Sequence, residues 1–123
     1  MIQDRSLVVV ADNSGAKIGR IFQLLGSAGK RYAEIGELVV LSVQIAEPRK
    51  AVKKKDVLKA VVVRQRKAFR RKDGSYIRFD ENAVVILEGD KKEPKAGRIF
   101  GPIPRELQEL GYQTIISRAP EVV

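Results

Sequence analysis

No run of apolar residues in this chain exceeds five, the longest being residues 7–11 (Leu-Val-Val-Val-Ala) and 83–87 (Ala-Val-Val-Ile-Leu). A membrane-crossing helix needs about 20 such residues, so neither run spans a bilayer. Both are rich in β-branched residues, which fit a pleated, buried strand. The first ends at Asp12-Asn13-Ser14-Gly15, four turn formers in succession. Short strands separated by tight turns are therefore expected.

The same alternation of strand and turn continues. Residues 16–25 read as a second strand, Gly26-Ser27-Ala28-Gly29 as a flexible break, and residues 36–47 as a third strand in which Val39, Leu41, Val43 and Ile45 alternate onto one face. Pro48 stops it, a basic loop covers 49–55, residues 57–69 form a fourth strand and 83–88 a fifth. Residues 36–39 and 55–58 share a turn, acid and apolar pattern, which reads as two ordinary strand starts rather than a repeat. Several short strands with few helices predict a mainly β fold, a five-stranded barrel. At 123 residues it makes one domain, 1–123, able to bury roughly two thirds of its unfolded surface.

The fourth strand changes character midway. Ala60-Val61-Val62-Val63 is apolar on both faces, as in a barrel wall covered from outside, whereas Arg64-Gln65-Arg66-Lys67 is polar on both. The chain must leave the core there. Asp73-Gly74 is a strong two-residue hairpin signal, so residues 64–80 are expected to form a protruding ribbon carrying Arg64, Arg66, Lys67, Arg70, Arg71 and Arg78. An isolated two-stranded ribbon is marginal in water, and the expectation is that an anionic partner orders it.

Charge supports that partner. The chain has 24 Lys and Arg against 15 acids, a net +9. Residues 49–78 alone hold thirteen basic residues and two acids, while the other ninety-three residues hold eleven and thirteen. A soluble surface normally mixes signs, so a one-signed stretch of this size points to a polyanion, with nucleic acid favoured over membrane. The chain has no cysteine and no histidine. Thiolate chemistry, thiolate metal sites and histidine-based general-base or nucleophilic dyads are excluded, and no cofactor or metal is implied. The carboxylates a magnesium enzyme would need are Asp12, Asp56, Asp73, Asp80 and Glu81, most of them in turns or at strand starts that already account for them. Gly26-Ser27-Ala28-Gly29 lacks the Lys-Ser/Thr of a phosphate-binding loop. The N-terminus has no basic region ahead of an apolar core, so the chain is read as mature and soluble.

The last quarter is different. Residues 89–95 read as a polar loop. Residues 104–111 have proline in the first turn, leucines at Leu107 and Leu110 and a terminal glycine, the marks of a short helix. Residues 112–118 read as strand by composition and helix by position, and the helical reading is preferred. A small helical part over about 103–119 would then close one end of the barrel.

Taken together, Ala60-Val61-Val62-Val63, the basic stretch, Asp73-Gly74, Phe79, Asn82 and Val85-Ile86 resemble the universal large-subunit ribosomal protein L-fourteen family, bacterial or plastid type. So do Met1-Ile2-Gln3, residues 11–16, residues 53–63, Arg98-Ile99-Phe100-Gly101-Pro102, Arg105-Glu106-Leu107 and Ala119-Pro120-Glu121-Val122. The resemblance implies a barrel with a protruding basic ribbon and a C-terminal helical part. Its function would be structural: binding large-subunit ribosomal RNA, packing on neighbouring ribosomal proteins, contributing to a bridge with small-subunit RNA, and offering a dock to a factor that silences subunit joining. The expected RNA-binding residues are Arg49, Lys53, Lys54, Lys55, Lys59, Arg64, Arg66, Lys67, Arg70, Arg71, Arg78, Arg98 and Arg105. Lysines would meet phosphates as point charges and arginines as two-pronged donors.

Lys55 stands where the family pattern has glycine, Lys72 where proline is common, and Tyr76 where an aliphatic residue is frequent; Gly97 and Thr114 replace threonine and lysine. Of the aromatics, Phe22, Phe79 and Phe100 are expected in the core, and Tyr32, Phe69 and Tyr76 are candidates to reach RNA or a partner protein. The rival reading is a single-strand-binding barrel outside the ribosome. Such modules present aromatic platforms to successive bases, and the basic quarter offers only Phe69 and Tyr76.

Overall fold

A computed structural model describes residues 2–3, 5–25, 32–89 and 91–123. The break expected at residues 26–29 and the Met1 of the resemblance lie outside the described residues. Strands β1 (Leu7–Val10), β2 (Ala16–Leu24), β3 (Leu38–Ala46), β4 (Val57–Arg64) and β7 (Ala83–Ile86) close into a five-stranded barrel in the order β1-β2-β3-β4-β7. Between β4 and β7 lies a hairpin of β5 (Phe69–Arg70) and β6 (Tyr76–Ile77). The C-terminal part holds β8 (Pro102–Ile103), α1 (Glu106–Glu109), α2 (Gln113–Arg118) and β9 (Glu121–Val122).

Neighbouring strands of the barrel run antiparallel except at the seam, where β1 pairs parallel to β7 through Val9 with Ala83 and Val10 with Val84. Side chains alternate between two cores, as period-two geometry requires. Val39, Leu41, Val43, Ala60, Val62, Val84 and Ile86 fill the barrel interior. Val61, Val63, Ala83, Val85 and Leu87 point outward and are covered by Ile99, Ile103, Leu107, Tyr112 and Ile115. This is why residues 60–63 and 83–87 are apolar on both faces.

Ile45 breaks the expected alternation and is exposed. Register shifts around Ile18, its partner on β2, rotate that end of the ladder away from the interior. The helical reading of residues 112–118 holds as α2, whose Ile115 seals the outer core. The turn after α1 places Gly111 at φ +97°, and the Tyr112 N–H returns to the Leu107 carbonyl at 3.0 Å.

Two of the three phenylalanines expected in the core are not there: Phe22 is 49% exposed and Phe100 is 47% exposed. Each follows a buried residue, Ile21 of the interior core and Ile99 of the outer core, and so points the other way, toward solvent. Phe79 is half-buried against the outer core, as is Phe69.

Candidate nucleic-acid interface

Most of the expected RNA-binding residues gather at the two ends of β4. Eight residues at about 3.3 Å each separate those ends by about 25 Å.

At the first end the loop of residues 47–56 caps the barrel. Val52 is fully buried in the interior core, its N–H bonds the Ser14 carbonyl at 3.3 Å, and the Glu47 N–H bonds the Gly15 carbonyl at 2.7 Å. The plug leaves Arg49, Lys53, Lys54 and Lys55 exposed. The Asp56 carboxylate accepts the Lys53 N–H at 2.9 Å, and the Lys55 N–H reaches the Val43 carbonyl at 2.8 Å. The turn holds Lys55 at φ +74° and, nearby, Arg49 at φ +65°. These are left-handed conformations that cost an L-residue roughly 1–2 kcal/mol, so the Lys55 turn has the backbone shape a glycine would take while displaying a cation. Lys50, in the same loop, and Lys17, which pairs with Glu47 at 3.8 Å, add to this end. The local density of lysine in residues 49–55 was the signal for Lys50. Arg98 joins the same end, because its N–H and carbonyl both bond Asn13 in the β1–β2 turn. Lys59 is exposed on β4.

The second end departs from the expected free ribbon. Arg64 is 5% exposed and serves the fold. Its guanidinium donates to the Phe100 carbonyl at 2.8 Å, the Pro102 carbonyl at 3.2 Å and the Glu81 carboxylate at 3.1 Å. Burial is the main influence on this group and lowers its pKa, against the opposing pull of Glu81. Gly101, at φ +78°, has no side chain because the Arg64 guanidinium occupies the space a Cβ would need. Arg64 therefore ties β4 to the segment leading into β8.

Arg71 is likewise engaged internally, with Nε 2.6 Å from Glu106 and Nη2 donating to the Val123 carbonyl at 2.8 Å. Lys72 pairs with Glu109 at 3.2 Å and Arg105 with Asp73 at 3.7 Å. The hairpin is thus docked on α1 by the protein's own carboxylates, and needs no anionic partner to order it. Its tip is set by Asp73, whose carboxylate accepts the Ser75 N–H at 2.9 Å and hydroxyl at 2.6 Å, with Gly74 at φ +89°. Those bonds lower the Asp73 pKa. Arg66, Lys67, Arg70 and Arg78 remain exposed. No carboxylate among the described residues ion-pairs with Arg49, Lys53, Lys54, Lys55, Arg66, Arg70, Arg78 or Arg98.

Most of the candidate catalytic carboxylates are spent structurally. Asp12 is buried and accepts the Ser14 hydroxyl at 2.6 Å, the Ser14 N–H at 3.1 Å and the Ile86 N–H at 3.0 Å. Burial nevertheless raises its pKa above the ordinary 3.8. Asp56, Asp73 and Glu81 hold the bonds given above, and no group of three or more potential metal ligands occurs among the described residues.

The family model for ribosomal protein L14p/L23e matches residues 1–123, the whole chain. The chain belongs to this family. As an L14p/L23e protein it is a structural constituent of the large ribosomal subunit that binds ribosomal RNA and packs against neighbouring ribosomal proteins. It works with the ribosome in the cytoplasm or an organelle. Among the described residues no helix is long and apolar enough to cross a membrane. The L14p/L23e family is generally non-enzymatic. Gly97 is exposed with open space around it, Thr114 is half-buried, and Tyr76 stands out from the hairpin.

Proposed function

We propose that this L14p/L23e protein clamps folded large-subunit RNA at two separate surfaces, one at each end of β4. Arg49, Lys53, Lys54, Lys55, Lys59 and Arg98 serve the first, and Arg66, Lys67, Arg70 and Arg78 the second. The carrying observation is that, among the described residues, Arg49, Lys53, Lys54, Lys55 and Arg98 at one end and Arg66, Arg70 and Arg78 at the other are exposed without a carboxylate partner, while Arg71, Lys72 and Arg105 are paired internally. Arg64 and Arg71 act as struts, and Arg105 lends its charge first to Asp73. Two separated cationic surfaces suit a protein that touches its own subunit with one and contributes to a bridge with small-subunit RNA through the other. The face around Arg98 and the open Gly97 is the one we assign to a factor that silences subunit joining. We read the chain as a single domain of the bacterial or plastid type.

The test is binding of the purified chain to deproteinised large-subunit RNA across a salt series. Neutralising about six phosphates gives a log–log slope on the order of −5. Replacing Lys53, Lys54 and Lys55 together by serine should lower that slope by about 3. Equal binding to unstructured oligonucleotides overturns the reading in favour of a single-strand module, and a salt-insensitive affinity overturns the phosphate contacts on which both readings depend.

A further inference from the structure

We propose that Tyr32, Phe69 and Tyr76 form a seat for one unpaired nucleotide of the bound RNA, an inference that rests on the RNA-binding reading above. These residues line one groove of about 410 Å³ together with Gln65, Lys67 and Arg70, a volume within the usual range of small-ligand sites. Tyr76 is 67% exposed and Tyr32 is 40% exposed. Two tyrosines 44 positions apart in sequence thus present their rings to solvent in the same depression.

The walls are held in place before any ligand arrives. The buried Gln65 amide accepts the Ile35 N–H at 3.1 Å and donates to the Lys67 carbonyl at 2.9 Å, joining the segment after Tyr32 to the segment before Phe69. The Ala33 N–H bonds the Ile2 carbonyl at 2.7 Å, and Phe69 pairs with Ile77 across the hairpin and packs on the outer core. A groove with fixed walls avoids much of the ordering cost of binding.

Charge selects the occupant. Lys67 and Arg70 lie on the hairpin side, and Glu34 also lines the groove, so a phosphate is drawn toward the hairpin and repelled from the opposite rim. An apolar protein side chain would cover the rings and give the cations nothing, whereas a nucleotide supplies a flat base and a phosphate together. Paired bases hide their faces in the helix, so the base must come from a loop, bulge or junction.

The experiment measures affinity for deproteinised large-subunit RNA over a salt series, with Tyr76→Ala, Tyr76→Leu and Tyr76→Phe beside the wild-type chain. Alanine and leucine should each weaken binding by about 5- to 100-fold, with an unchanged salt slope because stacking releases no counterions. Phenylalanine should bind as the wild type does. Wild-type affinity in the alanine and leucine variants overturns the seat while leaving the RNA reading intact, whereas a salt-insensitive wild type overturns both. Loss of a neighbouring ribosomal protein from reassembled subunits, with RNA affinity untouched, assigns the groove to a protein and also overturns the proposal.

Discussion

Arg64→Ala should unfold this protein more readily without weakening its hold on RNA. The side chain makes two bonds to carbonyls and one to a carboxylate, and its removal leaves the Phe100 and Pro102 carbonyls without their donor. Hydrogen bonds to charged groups contribute about 1.5–3 kcal/mol each, and breaking a buried pair costs about 3–5 kcal/mol. Glu81 is nearly half-exposed and can be rehydrated, which places the loss near the lower limit, about 3 kcal/mol. At about 4 °C per kcal/mol for a domain of this size, the midpoint should drop by roughly 12 °C. Arg64→Lys should recover only part of this, because an ammonium cannot span the three acceptors as a planar fork does. Urea unfolding gives the stability, and RNA affinity is measured well below the transition. Arg66→Ala provides the contrast, with stability within about 0.5 kcal/mol of wild type and weaker RNA binding. If Arg64→Ala were as stable as Arg66→Ala and lost RNA affinity, the strut assignment would be refuted.

Lys55→Gly should stabilise the fold by about 0.5 kcal/mol, the left-handed strain relieved less the extra chain entropy of glycine, and should lower the RNA salt slope by about 1; unchanged urea unfolding counts against the strain. Arg71→Ala should release the hairpin from α1 at a cost of about 1–2 kcal/mol, seen as faster amide exchange at Arg70 and Ile77, and equal protection would show the docking contributes nothing. Asp12 titrates in an unusual direction. Its folded pKa lies above 3.8, so its contribution to stability declines as pH rises from about 3.8 through the folded value and is flat above it. Asp12→Asn keeps only one acceptor oxygen and should leave either the Ile86 N–H or the Ser14 N–H facing an amide NH2, costing about 1–3 kcal/mol at neutral pH. The stability of wild type minus variant should fall with rising pH in that window, and a rise instead would contradict burial as the dominant influence.

The barrel was legible because its strands are β-branched, alternate on two faces and stop at turn formers, as at Asp12-Asn13-Ser14-Gly15 and Pro48. Apolarity on both faces of residues 60–63 correctly required an outer cover. What sequence could not supply was long-range partnership. Nothing local distinguishes Arg64 from Arg66, and the difference lies in acceptors 17 to 38 residues away. The expected free ribbon failed for the same reason, since Glu106 and Val123 become neighbours of Arg71 only in the fold. Phe22 and Phe100 were misplaced because hydrophobicity suggests burial without saying which face is covered. Tyr32, Phe69 and Tyr76 were each singled out, but their meeting in one groove depends on the route of the chain.

The parallel seam between β1 and β7 has a consequence for synthesis. β7 inserts between the first and fourth strands, so both of those strands keep a bare hydrogen-bonding edge until residue 86 has left the ribosome that is making the chain. Open edges of that kind invite pairing with other chains. Fragments ending before Ala83 should aggregate rather than fold, and nascent chains should acquire protease resistance in a single late step.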